Sequence, residues 1–295
     1  MSTEPSVRYI DELPKCCLDH PASLPRPDRV VLDLHASTDD QAWDLGLWQW
    51  RGRISVGWGD TEELFAVLHD HSRKAGAANV DPVYDLGAHG VHISHGEEAL
   101  AKVGDLSALH ARLWDQLGAA SGRPAFTTIA DLWESVDHLA GDGSRLLEAL
   151  LPDAGLDDEA DDGLNPVTIA ALGDDPVTSS VLLISSVEVT PIVRGHGLGA
   201  WAAAQTIACV AGNECLLALE AAPLTPRDAV PGLADDWQDL SAQEQRMWDA
   251  EQVRLAQHWA KALGMSPLSS TPNVLVGHTS LINTKLDATL GMWPA

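Results

Sequence analysis

The chain has 295 residues, 45% hydrophobic and 21% charged, proportions that exclude disorder, collagen and coiled coil for its bulk. Its 43 acidic residues against 18 basic give a formal net charge of −25. That excess argues against a nucleic-acid partner, whose phosphates need Lys and Arg, and against an anionic membrane surface.

Met1 to Asp11 holds Glu4 and Asp11 and no apolar run, so it does not read as a secretory signal. No stretch approaches the 18 or so apolar residues of a membrane span. Cys16 and Cys17 are adjacent, Cys209 and Cys215 lie in apolar surroundings and read as small core residues, and no CxxC spacing suggests zinc. The expectation is a reduced, cytoplasmic protein without a metal.

Residues 1–28 carry Pro5, Pro14, Pro21, Pro25 and Pro27 and read as an irregular leader. The remainder, 29–295, reads as one domain. In it 29–127 supplies early strands plus an insertion or small extra domain, and 128–295 supplies the core. Arg29 to His35 alternates and predicts a strand. Asp44 to Trp50 and Arg53 to Trp58 predict a hairpin turning at Arg51-Gly52, its Trp43, Trp48, Trp50 and Trp58 packing a core or lining a cleft. Thr61 to Ala75 has an acidic first turn and stops at Gly76, which predicts a helix. Leu106, Leu109, Leu113 and Leu117 stand three or four apart, which predicts a helix in the second half of Gly96 to Leu117. His89, His92, His95 and Glu97 have metal-ligand chemistry but read as scattered, solvated side chains.

Thr128 to Leu151 reads as one or two helices broken at Gly141-Asp142-Gly143. Asp153 to Asp162 is an acidic, solvated loop. Asn165 to Leu172 reads as a short strand. Val181 to Val189 is the strongest strand signal in the chain, followed by a turn at Thr190-Pro191. Arg194-Gly195-His196-Gly197-Leu198-Gly199 then opens an Ala-rich helix, Ala200 to Ala211, closed by Gly212-Asn213. Cys215 to Ala221 predicts a second buried strand. Ala242 to Leu263 predicts a long helix stopping at Gly264, and Asn273 to Gly277 a last strand. Strand, loop, helix and strand with a short return imply parallel neighbours or a splayed pair in an α/β sheet.

A glycine loop between a strand and a helix is suited to phosphate. Glycine lets the backbone approach a ligand closely, and the helix start adds free N–H groups and a positive dipole end. Arg194 can add a charge-assisted contact. The spacing is neither the dinucleotide fingerprint G-x-G-x-x-G nor a P-loop, since no Lys follows the glycines.

Val189, Pro191, Arg194, Gly197 and Gly199 match the pattern V-x-P-x-x-[QR]-x-x-G-x-[GA]; with their flanking strands they closely resemble the acyl-CoA-binding core of the GCN5-related N-acetyltransferase (GNAT) family. The segment His258 to Met265, a helix ending in Leu263-Gly264-Met265, resembles that family's L-G-[FM] region. The resemblance covers about residues 178–282. It implies an α/β fold with a GNAT-like mixed, splayed β-sheet flanked by helices. It implies acetyl-CoA, or another acyl-CoA, as co-substrate. The pantetheine arm would pair near Val187, Glu188 and Val189, and the pyrophosphate would sit on the backbone of Arg194, Gly195, His196, Gly197, Leu198, Gly199 and Ala200.

The implied activity is N-acyltransfer, acetyl passing to a primary amine by direct attack. The Val189 N–H is the implied donor to the developing oxyanion. Glu188 and Glu220, on the two splayed strands, are candidates for the base. Glu220 lies in an otherwise apolar strand, the setting that tunes a carboxylate for proton transfer. The acceptor is expected to be a small-molecule or peptide amine, cationic if the net charge guides it, and the chain has room to be a homodimer. Two departures stand out. The position of the family's acid, a Tyr, is occupied by Trp259, with His258 beside it, and Ala222-Pro223-Leu224 replaces the usual Asn. They raise the alternative of a non-catalytic acyl-CoA-binding sensor or interaction module.

Overall fold

The computed structural model describes residues 8–10, 27–37, 46–58, 99–112, 132, 136, 141–150, 164–173, 176–189, 195–221, 238 and 240–293. The strands are β1 (Arg8–Ile10), β2 (Arg29–Ser37), β3 (Leu47–Trp58), β4 (Ala99–Arg112), β5 (Ser180–Val189), β6 (Cys215–Glu220), β7 (Ser266–Pro267) and β8 (Val274–His278). The helices are α1 (Gly141–Leu150), α2 (Pro166–Leu172), α3 (Leu198–Val210), α4 (Ala242–Leu263) and α5 (Thr279–Leu290). The sheet order is β2-β3-β4-β5-β6-β8-β7, with β1, from within the expected leader, pairing parallel to β4 off this path. Neighbours on the path are antiparallel except β5 and β6, which are parallel. The result is a mixed α/β fold on a mostly antiparallel sheet, with early and late segments of the chain sharing that sheet.

Side chains alternate across a strand, so each face has its own core. On one face Ile54, Val56, Trp58, Leu106, Leu182, Ile184, Leu217 and Leu219 pack with α3, α4 and α5. On the other, Leu47, Leu109, Ala111, Val181, Leu183, Leu216 and Ala218 pack with α1 and α2. Because β5 and β6 are covered on both faces, they read as continuous apolar runs, which is why they were the plainest strands in the sequence.

The same covering explains a correction. Ala99–Arg112 is a strand, not the predicted helix. Leu106 faces α3 while Leu109 faces α1 and α2, so leucines three apart serve two cores. The predicted hairpin is also wrong: Leu47–Trp58 is one 12-residue strand running through Arg51-Gly52. Gly52 serves packing instead, since a Cβ there would stand 3.1 Å from atoms of Leu32, Leu34 and Leu106. Of the tryptophans, Trp58 is core and Trp50 packs against it. Trp48 stacks on His110 at 5.6 Å, with Arg112 5.3 Å above its ring. Burial, reinforced by the Arg112 charge, pushes the His110 imidazole down to about 4. Trp43 lies outside the described residues.

Asn165–Leu172 is a third correction. Asn165 caps a helix by accepting from the Thr168 N–H at 2.7 Å, Pro166 opens it, and Gly173 closes it. The β-branched Val167, Thr168 and Ile169 favour a strand by propensity, and the capping signals override them. The glycines at 141–143 open α1, and Leu132 and Val136 ahead of them are also helical. Cys215 is buried, but Cys209 is exposed on α3 rather than in the core. Burial lifts the Cys215 thiol to about 11. The predicted α4 is observed residue for residue; Ser241 and Glu244 form a reciprocal capping box at its start and Gly264 ends it. The short β7 and the helix α5 were not anticipated. The predicted helix Thr61–Ala75, the histidines at 89, 92 and 95, and the acidic stretch 153–162 lie outside the described residues.

Candidate functional site

The site is built where β5 and β6 part. Their pairing runs from Ser180 opposite Cys215 to Ile184 opposite Leu219 and stops, while β5 continues to Val189 paired with β4. At that point Ser185 bulges out of register, and its hydroxyl donates to the Ser107 carbonyl oxygen at 3.1 Å. The extra residue bends β5 and resets its alternation. Val187 and Val189 therefore face the α3 side, as Leu182 and Ile184 do, and Glu188 faces the opposite side, exposed. Gly104 makes this pairing possible, since a Cβ there would overlap the Glu188 carbonyl oxygen.

Beyond β5 the chain returns through Gly195, His196 and Gly197 into α3. Gly195 and Gly197 have φ of 86° and 77°, the left-handed region that glycine enters without strain. Gly197 is the N-cap, and no side chain caps the helix. The first turn holds no acidic residue. Among the described residues no side chain occupies the donors of this helix start, and such donors, with the positive dipole end, can bind an anion. His196 is exposed, Leu198 and Ala200 are buried, and Gly199 is half-buried against Trp259 and Val189. Arg194 lies outside the described residues.

Trp259 is 8% exposed and part of the core beneath this loop; a Cβ on Gly199 would stand 3.3 Å from its ring. It is a wall of the site, and the neighbouring His258 points away, exposed. Met292, just past α5, covers Gly197 closely enough that a Cβ there would meet its methyl at 2.5 Å.

The two candidate carboxylates share the face opposite α3, on either side of the gap. Glu220 follows Leu216 and Ala218 in alternation, and its carboxylate is already engaged: Asn273 Nδ2 donates to it at 3.2 Å and Arg145 lies 3.7 Å away. Glu188 has no ion pair among the described residues. The sequence reading missed Gly104, Asn273 and Arg145. Asn273, directly before a strand, was a readable signal, whereas the partner of Gly104 lies 84 positions on (188 − 104) and left none. Among the described residues no cluster of three or more His, Cys, Asp or Glu could hold a metal ion. No helix of the described residues is long and apolar enough to cross a membrane.

Comparison with protein families, curated proteins and solved structures finds no match to this chain.

Proposed function

We propose that this chain is an acyl-CoA-dependent N-acyltransferase that passes an acetyl group from acetyl-CoA to a primary amine. One juxtaposition carries the reading: an uncapped glycine turn at the start of α3 lies at the end of β5, beside a strand edge that β6 has left. A long co-substrate with phosphates at one end and an extended arm needs those two features side by side. The finer fold we infer is the GNAT-like mixed, splayed sheet, supported by the parting of parallel β5 and β6 after Ile184 and Leu219.

In this reading the backbone of Gly195 to Ala200 holds the pyrophosphate with Arg194, and Val187 to Val189 aligns the arm. Acetyl-CoA supplies a thioester whose carbon–sulfur bond breaks as the amine's carbon–nitrogen bond forms, sulfur leaving with the electron pair. In this reading Glu188 takes the amine proton, directly or through water, because it is exposed and has no ion pair among the described residues, where Glu220 is restrained. Val189 is the donor that the resemblance assigns to the developing oxyanion. No described side chain stands ready to protonate the thiolate, and water serves.

The buried Trp259 in place of a Tyr favours the second reading, an acyl-CoA sensor that binds without turnover. Calorimetric titration with acetyl-CoA and with CoA, followed by an amine panel scored by CoA release, separates the two. Micromolar binding lost in Arg194→Ala and Gly197→Trp, with unfolding temperatures recorded as a folding control, supports the cradle. Binding without turnover selects the sensor, and no binding by the natural chain sinks both.

A further inference from the structure

We infer that the acceptor is an amino-acid-sized amine that also carries a carboxylate, held by Arg51 while Glu188 receives its amine; this rests on the acyl-CoA reading above. Glu188 points away from the phosphate-binding face, so an acceptor reaches the acyl group from the opposite side of the sheet. On that side the half near Ser180 is closed by α1 and α2. The half near Val189 is polar. There Asp33, Arg53, Asp105 and Glu188 stand opposite one another in one row across β2 to β5. In the next row Arg51 stands opposite Ser107, and Ser107 opposite Ser186.

The charges on this face do not follow the rest of the chain. Lys102, turned to the same side by the bulge at Val103, pairs with Asp105 at 2.8 Å. Among the described residues of these rows Arg51, Arg53 and Lys102 thus balance Asp33, Asp105 and Glu188, in a chain where acidic residues outnumber basic 43 to 18. A polycation suggested by the net charge would meet three local cations here, and local charges act more strongly than distant, screened ones. Arg51 and Glu188 are both exposed and, among the described residues, neither has an ion pair. One free cation and one free anion complement a zwitterion. Their backbones are two strand spacings and two residues along the strand apart, about 12 Å on the diagonal, and both side chains are long enough to close inward on charges a few carbons apart.

The step balances. The acceptor arrives as an ammonium and gives one proton to solvent. Its nitrogen bonds the acyl carbon, the remaining excess proton passes to Glu188 and on to water, and the thiolate leaves with the electron pair of the broken carbon–sulfur bond.

The test uses the full chain saturated with acetyl-CoA and supplied with α- and ω-amino acids, each beside its own amide, and with spermidine. The expected result is a kcat/KM for the best amino acid at least about tenfold above that of its amide. Arg51→Ala should erase this preference by raising KM for the acid alone, with kcat and acetyl-CoA affinity unchanged, and Arg51→Lys should restore part of it. Titration of that amino acid into protein holding free CoA reads the same contact without turnover and should weaken about tenfold in Arg51→Ala. Preference for spermidine, equal use of acid and amide, or an unchanged ratio in Arg51→Ala would overturn the inference alone. Failure of acetyl-CoA to bind would overturn the acyl-CoA reading and this inference with it.

Discussion

Between Ser180 and Ile184, β5 is buried and paired on both edges, to β4 and to β6; between Ser185 and Val189 it keeps β4 and loses β6. The first half packs leucines and an isoleucine into two cores. The second half is partly exposed, alternates valine with serine and glutamate, and packs its last valine against Gly199 at the start of α3. One continuous strand is thus locked between two neighbours at one end and, among the described strands, keeps only β4 at the other. A single added residue, Ser185, marks the change.

This contrast is sharpest in a pair of truncations. Leu182→Ala, in the doubly covered half, should lower unfolding free energy by about 2–5 kcal/mol, whereas Val187→Ala should lower it by about 1 kcal/mol and weaken acetyl-CoA binding instead. Equal losses in denaturant unfolding would erase the distinction. His110, opposite Leu182, tests the buried half by pH. The unfolded chain protonates it near 6.5 and the folded chain only near 4, so the unfolded state binds more protons between those values. Stability should therefore be full above 6.5 and fall as pH drops toward 4, by about 3 kcal/mol for the 2.5-unit difference (6.5 − 4). Urea unfolding across that range should show a flatter slope in His110→Phe; parallel slopes would mean His110 is not so placed. Gly104→Ala probes the open half. The new methyl displaces the Glu188 carbonyl, so a loss of about 1–3 kcal/mol is expected, with acetyl-CoA binding falling further than stability explains. The smallest effect is chemical. A thiol reagent should modify Cys209 in the folded protein, while Cys215, buried with its thiol near 11, should react only on unfolding, as read by peptide mapping.

The same contrast explains what was legible in the sequence. Val181 to Val189, Cys215 to Ala221 and Ala242 to Leu263 were legible because apolar runs and closing glycines agreed. Leu106 and Leu109 misled because a strand covered on both faces loses its alternation and imitates a helix. Gly52 misled because glycine marks close packing as readily as a turn. The glycine loop before α3 was visible as a local pattern. The parting of β5 from β6, the overlap that requires Gly104 and the row from Asp33 to Glu188 are non-local, and no window of sequence contains them.

The most direct measurement is hydrogen exchange on the full chain with and without acetyl-CoA. Amides at Val187 to Val189 and at Gly195 to Ala200 should gain protection together when the ligand is present, while those at Val181 to Ile184, already paired, should not change. No gain at either segment, or a gain spread evenly along β5, would contradict the claim that its second half is the ligand's edge.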